Sequence, residues 1–246
     1  MPGVEDFKLS ITKALGDQLA EAFLGLTPIS LSHSHLTASV VNRGGVYQLY
    51  LDNKLVYIGK ADHKLQQRLL KHLKKIGGRE NLDLNRLSFT AIYVDEDMSA
   101  VAPETLLIQR HRSTGDAIWN FNGFGNNDPG RQRDTSSVAQ DHFDSLYPIN
   151  LQCPVSTSTG RMLVGDFLAK LKKTLPFTFR YQYAKSWRTS GRVEFSPMID
   201  VPTGLTATTA FELAAAAVPA WQLTALPGYT IFYNETRPYA HAQRIF

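Results

Sequence analysis

Only one cysteine, Cys153, occurs in the 246 residues, which excludes an internal disulfide framework and fits a reducing compartment. That residue is expected to be a buried apolar side chain rather than a nucleophile. No apolar stretch reaches the ~20 residues that a membrane-spanning helix needs. The most hydrophobic run, FELAAAAVPAW at 211–221, is too short and contains Pro219, so it is expected to pack as a helix within the protein. The N-terminal MPGVEDFKLS lacks the apolar centre of a secretory signal; the expected location is cytoplasmic, with no membrane association. No fixed-period repeat or low-complexity tract appears, which excludes solenoid and tail architectures. With no paired cysteines, structural zinc has little support, and His33, His35 and His63 form no convincing ligand set.

What is present describes a folded globular chain. Hydrophobic residues make up 43% and charged residues 20%, enough apolar content for the core of one generous domain or two small ones. Net charge is only +4, yet residues 60–79 hold Lys60, Lys64, Arg68, Lys71, Lys74, Lys75 and Arg79 against Asp62 alone. Such a stripe suits a polyanion, although a solvated helix face accounts for it equally well on charge alone.

Three segments are expected: an N-terminal helical arm at 1–43, a core at 44–150, and an additional α/β unit at 151–246. The arm carries a helical pattern, EDFKLSITKALGDQLAEAFL, then a Pro/Ser/His connector, TPISLSHSHLTASVVNRG. In the core, strands at 46–51 and 55–59 are joined by Asp52-Asn53, a pair that tolerates left-handed backbone. Leu65, Leu69, Leu73 and Ile76 then recur at helical spacing until Gly77-Gly78 stops the helix. LSFTAIYV reads as a strand, PETLLIQRHR as a helix with proline in its first turn, and NFNGFGNNDPGRQRDT at 120–135 as loop or turns. The last segment shows a helix around GRMLVGDFLAKLKKTL, a strand-like FTFRYQYA, the alanine-rich helix and a closing strand, GYTIFYNE. The fold class is therefore α/β (α+β).

The core opens with two short motifs, Gly45-Val46-Tyr47 and Tyr57-Ile58-Gly59. They resemble the two halves of the signature of the GIY-YIG nuclease superfamily. In that superfamily the second motif is followed by a helix carrying an arginine, a helix carrying a glutamate, and an asparagine. Arg68, Glu104 and Asn120 occupy those places, with Asn122 close enough to compete with Asn120. The pair Arg68 and His72, the GFGNNDPG loop after Trp119-Asn120, and LTPISL ahead of the core resemble the GIY-YIG type II restriction endonucleases, in particular the group that cleaves CCGCGG-type palindromes. The resemblance covers roughly 20–150 and leaves the C-terminal segment outside. It implies a small, mostly antiparallel sheet flanked by helices and Mg²⁺-dependent, sequence-specific cleavage of double-stranded DNA. It also implies a functional pairing with a cognate DNA methyltransferase. Two sites related by a twofold axis would cut both strands of a palindrome, hence a homodimer.

The residue types suit that chemistry. Phosphodiester hydrolysis needs an activated water, counter-charge for the transition state, and help for the leaving oxygen. Adjacent hairpin strands can bring Tyr47 and Tyr57 to one end of the sheet. Tyr47 is the candidate for deprotonating water; a phenol titrates near ~10, so a cationic site must assist, and His72 can share the proton. Lys64, Arg68 and His72 stand four apart, so they are expected to line a cationic helical face beside the leucine stripe. Arg68 offers a planar fork to phosphate. Lys60 is a candidate DNA contact or simply a strand-end lysine, and Lys64 a second contact. Glu104 is the expected Mg²⁺ ligand, although acids also favour a first helical turn. Asn120 either fixes a phosphate oxygen or orients the helix of Glu104. Arg131 and Arg133 suit guanine edges or phosphates, while their glycine- and asparagine-rich surroundings equally suit plain turns. The alternatives are a GIY-YIG nuclease of DNA repair or a mobile element, and a catalytically idle nucleic-acid-binding module.

Overall fold

In the computed structural model the described residues are 3, 11–94, 103–112, 115–126, 128, 130–186 and 193–246, with the backbone alone described at 11–13, 103, 104, 106 and 109. They form two compact units, Met1–Leu73 with Asp83–Gly125 and Lys74–Leu82 with Asn126–Phe246. This division differs from the three expected segments. The N-terminal helix joins the sheet of the first unit, and the stretch after Gly125 docks on a sheet of the second.

The first unit contains α1 (Ile11–Leu24), β1 (Ile29–Ser30), α2 (His33–Ser39), β2 (Gly45–Leu51), β3 (Lys54–Ala61), α3 (Leu65–Gly77, in this unit through Leu73), β4 (Leu87–Tyr93) and α4 (Pro103–Arg112). Its sheet runs β1-β4-β2-β3 with antiparallel pairing throughout. The β2–β3 turn places Asp52 at φ 50° and Asn53 at φ 62°, the left-handed pair that matches strand twist in a two-residue hairpin. Alternation then sorts the side chains. Val46, Ile58 and Ile92 cluster with Ala20 and Phe23 of α1 and Leu107 and Ile108 of α4. On the opposite face, α3 brings Leu65 against Gly45 and His72 against Tyr47.

Two local expectations are corrected here. The stretch 27–44 is more than a connector: Ser32 caps α2, its side chain accepting a hydrogen bond from the His35 amide, and Leu36 anchors the helix at 0% exposure. The face of α3 expected to carry Lys64, Arg68 and His72 is exposed only at its start. Lys64 is exposed just ahead of the helix, Arg68 is half-buried and His72 is buried, while Leu73 is only partly buried. The line therefore turns inward along the helix, because His72 finds a polar partner beneath it.

The second unit holds α5 (Phe143–Leu146), β5 (Gly160–Leu163), α6 (Val164–Thr174), β6 (Thr178–Tyr181), β7 (Met198–Val201), α7 (Ala207–Ala217), β8 (Gln222–Leu226), β9 (Tyr229–Tyr233) and β10 (Arg244–Ile245). One sheet runs β10-β8-β9-β6, with β6 parallel to β9, and β5 pairs with β7 separately. Phe167, Leu168 and Leu171 of α6 and Ala210, Phe211 and Ala214 of α7 enter one core with Phe179, Leu223 and Phe232. GRML forms β5 rather than the start of the helix. The alanine-rich helix begins earlier than its apolar run, at a reciprocal Thr206–Thr209 cap, and ends before Pro219.

Candidate active site

The register of β2 on β3 pairs Tyr47 with Gly59 and Leu49 with Tyr57, then shifts between Leu49 and Tyr50. Tyr47 and Tyr57 consequently share a face, with ring centroids 6.1 Å apart. Tyr47 lies across Gly59: a Cβ at residue 59 would strike the Tyr47 ring and hydroxyl and come within 2.8 Å of the Tyr57 ring. Glycine is needed here for close approach rather than for turn geometry. Gly59→Ala is expected to displace both tyrosines at a cost of roughly 1–3 kcal/mol, read as a lowered melting temperature together with changed aromatic NMR signals from both rings. A melting curve and spectrum identical to wild type would refute this packing.

α3 completes the cluster. The Tyr47 hydroxyl lies 2.6 Å from His72 Nε2, and Arg68 Nε donates to the Tyr47 oxygen at 3.3 Å. Tyr47 is 0%, Tyr57 4% and His72 5% exposed, so these contacts are made away from bulk water. Arg68 is half-buried. Burial works against its charge, but the oxygens of Tyr47 and Tyr57 outweigh that penalty and leave its pKa above the ordinary value.

Asn120 takes a role the sequence did not suggest. It ends a 3₁₀ turn, Ile118–Asn120, that begins after left-handed Ala117. Its Oδ1 accepts the Ile58 N–H at 2.8 Å and its Nδ2 donates to the Ile58 carbonyl at 2.7 Å. β3 is an edge strand, so the side-chain amide supplies the partner that a neighbouring strand would otherwise give. It clamps the backbone between Tyr57 and Gly59. Asn122 makes no such pair among the described residues; its Oδ1 is buried there without a hydrogen-bond partner.

Sequence reasoning missed Phe124, which is 1% exposed. Its ring stacks on His72 at 5.0 Å and 24°, meets Tyr57 edge-on at 4.9 Å, and packs on Trp119 at 4.8 Å. Gly125 lies under the Tyr57 hydroxyl, 3.0 Å from where its Cβ would be. The available signal was an aromatic flanked by glycines in a stretch otherwise suited to turns.

The remaining candidates are more dispersed. Glu104 lies in the first turn of α4, and its side chain is outside the described residues. Lys60 pairs with Asp62 at 3.3 Å, and Lys64 is exposed. Arg131 and Arg133 belong to the second unit. Arg131 pairs with Glu235 at 3.0 Å and stacks on Tyr233, while Arg133 pairs with Asp144 and faces the Tyr229 ring. Their 3₁₀ turn, Gly130–Thr135, is thereby fastened to β9. Cys153 is buried, and burial pushes its thiol up to about 11, leaving little thiolate at neutral pH.

Among the described residues no three His, Cys, Asp or Glu side chains converge as a metal site. No helix among the described residues is long and apolar enough to cross a membrane.

No curated protein matches the chain. One family model does: the Eco29kI GIY-YIG domain, over residues 52–151. The match covers less than half of the chain and begins after Tyr47, but it includes Tyr57, Arg68, His72, Glu104, Asn120, Arg131 and Arg133. Residues 52–151, which carry all the candidate site except its first tyrosine, are thus similar to the GIY-YIG domain of a restriction-endonuclease family.

Proposed function

We propose that this chain is a Mg²⁺-dependent, sequence-specific endonuclease of the type II restriction kind that hydrolyses double-stranded DNA. The observation that carries the reading is the buried contact of Tyr47 with both His72 and Arg68. Because Arg68 donates to the Tyr47 oxygen, the phenol proton is directed to His72 Nε2, with the other imidazole nitrogen protonated; this tautomer is assigned from the hydrogen-bond network. Passing that proton to His72 leaves a phenolate beside a guanidinium. The phenolate oxygen takes a proton from the attacking water, and the water oxygen bonds to phosphorus as the leaving oxygen departs. Arg68 holds counter-charge at the phosphate.

Glu104 would hold Mg²⁺, which when bound offsets charge on the phosphate oxygens. Lys60 and Lys64 extend the cationic approach to the backbone, and exposed Arg131 is the better placed of the two loop arginines to touch DNA. Arg133 is engaged with Asp144. Cutting both strands of a palindrome calls for a homodimer, and host protection calls for a cognate methyltransferase; the family likeness favours a GC-rich, CCGCGG-type site. Tyr57 faces Arg68 from the second strand, and Asn120 keeps that strand in place.

The test is digestion of unmethylated plasmid and phage DNA by wild type and Glu104→Ala, with Mg²⁺ or EDTA. Discrete bands are expected with wild type and Mg²⁺, lost with EDTA or the substitution. Smears or nicks that still depend on Glu104 would move the role to repair or a mobile element. Binding without cleavage by folded wild type would leave an idle nucleic-acid-binding module.

A further inference from the structure

We infer that Phe124 is a positioning residue for the proposed hydrolysis: its ring sets the plane of the His72 imidazole so that Nε2 meets Tyr47. The inference rests on the nuclease reading for its consequence, but on geometry for its substance.

A hydrogen bond to Tyr47 fixes one atom of the imidazole but does not by itself set the plane of the ring. Proton transfer needs more, since the donor–acceptor line must stay near the ring plane. His72 has rings on several sides: Tyr47 at 5.6 Å and 50°, Tyr57 at 5.3 Å and 62°, and Phe124 at 5.0 Å and 24°. Of these three the last approaches parallel stacking, so Phe124 bears directly on the plane of the imidazole. It is also polarity-free.

Phe124 is itself fixed. Trp119, 0% exposed, packs on it, and Asn120 ties the same turn to Ile58 through both amide groups. The turn therefore wraps the free edge of β3. It connects the strand bearing Tyr57, through Phe124, to the helix bearing His72. The same ring presses on Tyr57, so one side chain bears on two rings that pack against Tyr47, those of Tyr57 and His72.

The test compares Phe124→Met, which keeps apolar volume but removes the flat face, with Phe124→Tyr, which keeps it. Leu107→Ala, on the opposite face of the sheet, controls for lost stability. His72 ring resonances are followed by NMR, and single-turnover rates and KM are measured on duplex DNA. Phe124→Met is expected to shift the His72 signals and slow cleavage about 100-fold at unchanged KM, the scale of a small misplacement of a reacting group. Phe124→Tyr should keep wild-type signals and a rate within about threefold. Leu107→Ala should melt earlier with unchanged His72 signals. Wild-type signals and rate in Phe124→Met would overturn the assignment, as would Leu107→Ala shifting the His72 signals equally. Should wild type cut no DNA while Phe124→Met still moves them, the positioning holds and the nuclease reading fails.

Discussion

Tyr47→Phe should cleave DNA roughly 10²–10⁴-fold more slowly than wild type, the range for loss of a positioned proton acceptor, with little change in KM. The substitution deletes a single atom and leaves the 0%-exposed ring in place. That atom joins Arg68 Nε to His72 Nε2. Without it the proton has no route between water and imidazole, and Arg68 loses one of the two phenol oxygens that support its charge. A buried imidazole nitrogen without its partner costs about 1–3 kcal/mol, so the variant should still fold while melting earlier. Single-turnover rates on a defined duplex, paired with melting curves, separate the two effects. A rate within threefold of wild type would remove Tyr47 from the chemistry and leave it a packing residue. Tyr57→Phe should lose less, because it is the Tyr47 hydroxyl that lies 2.6 Å from His72 Nε2.

How much of this was legible beforehand differs between the units. Strand alternation and the Asp52-Asn53 turn foretold the hairpin, and the hairpin alone places Tyr47 beside Tyr57 on one face. Helical spacing foretold α3, yet it could not tell that His72 faces inward, since histidine suits either side until a partner is seen. The clamp by Asn120 was hidden because it joins residues 62 apart in sequence. Phe124 was hidden by its glycine-rich surroundings, which signal turns whether or not one ring reaches inward. In the second unit, short strands such as β7, β8 and β10 lacked the length for a clear period. The helix α7 started before its apolar run because Thr206 and Thr209 cap each other. Arg131 and Arg133 suggested DNA by composition, and their acidic partners, Glu235 and Asp144, come from other elements.

That last pairing carries the largest expected effect on stability: Asp144→Asn should cost about 3–5 kcal/mol near neutral pH, as breaking a buried ion pair does. Asp144 is 5% exposed and bonds Arg79 Nη1 at 2.7 Å, with Arg133 as a second partner. Arg79 is equally buried and also donates to the Tyr147 carbonyl at 3.0 Å. An asparagine would leave two guanidinium groups facing each other without a counter-charge. Gly228 lies so close to the carboxylate that a Cβ there would strike it, so the cavity has little room for adjustment. Burial alone would raise the Asp144 pKa, but Arg79, Arg133 and Lys75 together hold it below the ordinary 3.8. A carboxyl depressed in the fold stabilises fully above its unfolded value and loses that contribution as pH falls through the folded one. His142, whose Nδ1 accepts the Asp144 amide hydrogen, adds an earlier and shallower loss. Burial, reinforced by Arg133, Lys75 and Arg79, depresses its pKa despite the opposing charge of Asp144, so the unfolded chain takes up that proton first as pH drops below about 6.5. Melting curves from pH 8 to 3 should therefore show Asp144→Asn well below wild type at pH 7, with the gap closing below pH 3.8 as the wild-type carboxyl is protonated. Equal stability at pH 7, or a gap constant down to pH 3, would mean that Asp144 is not the counter-charge on which this unit depends.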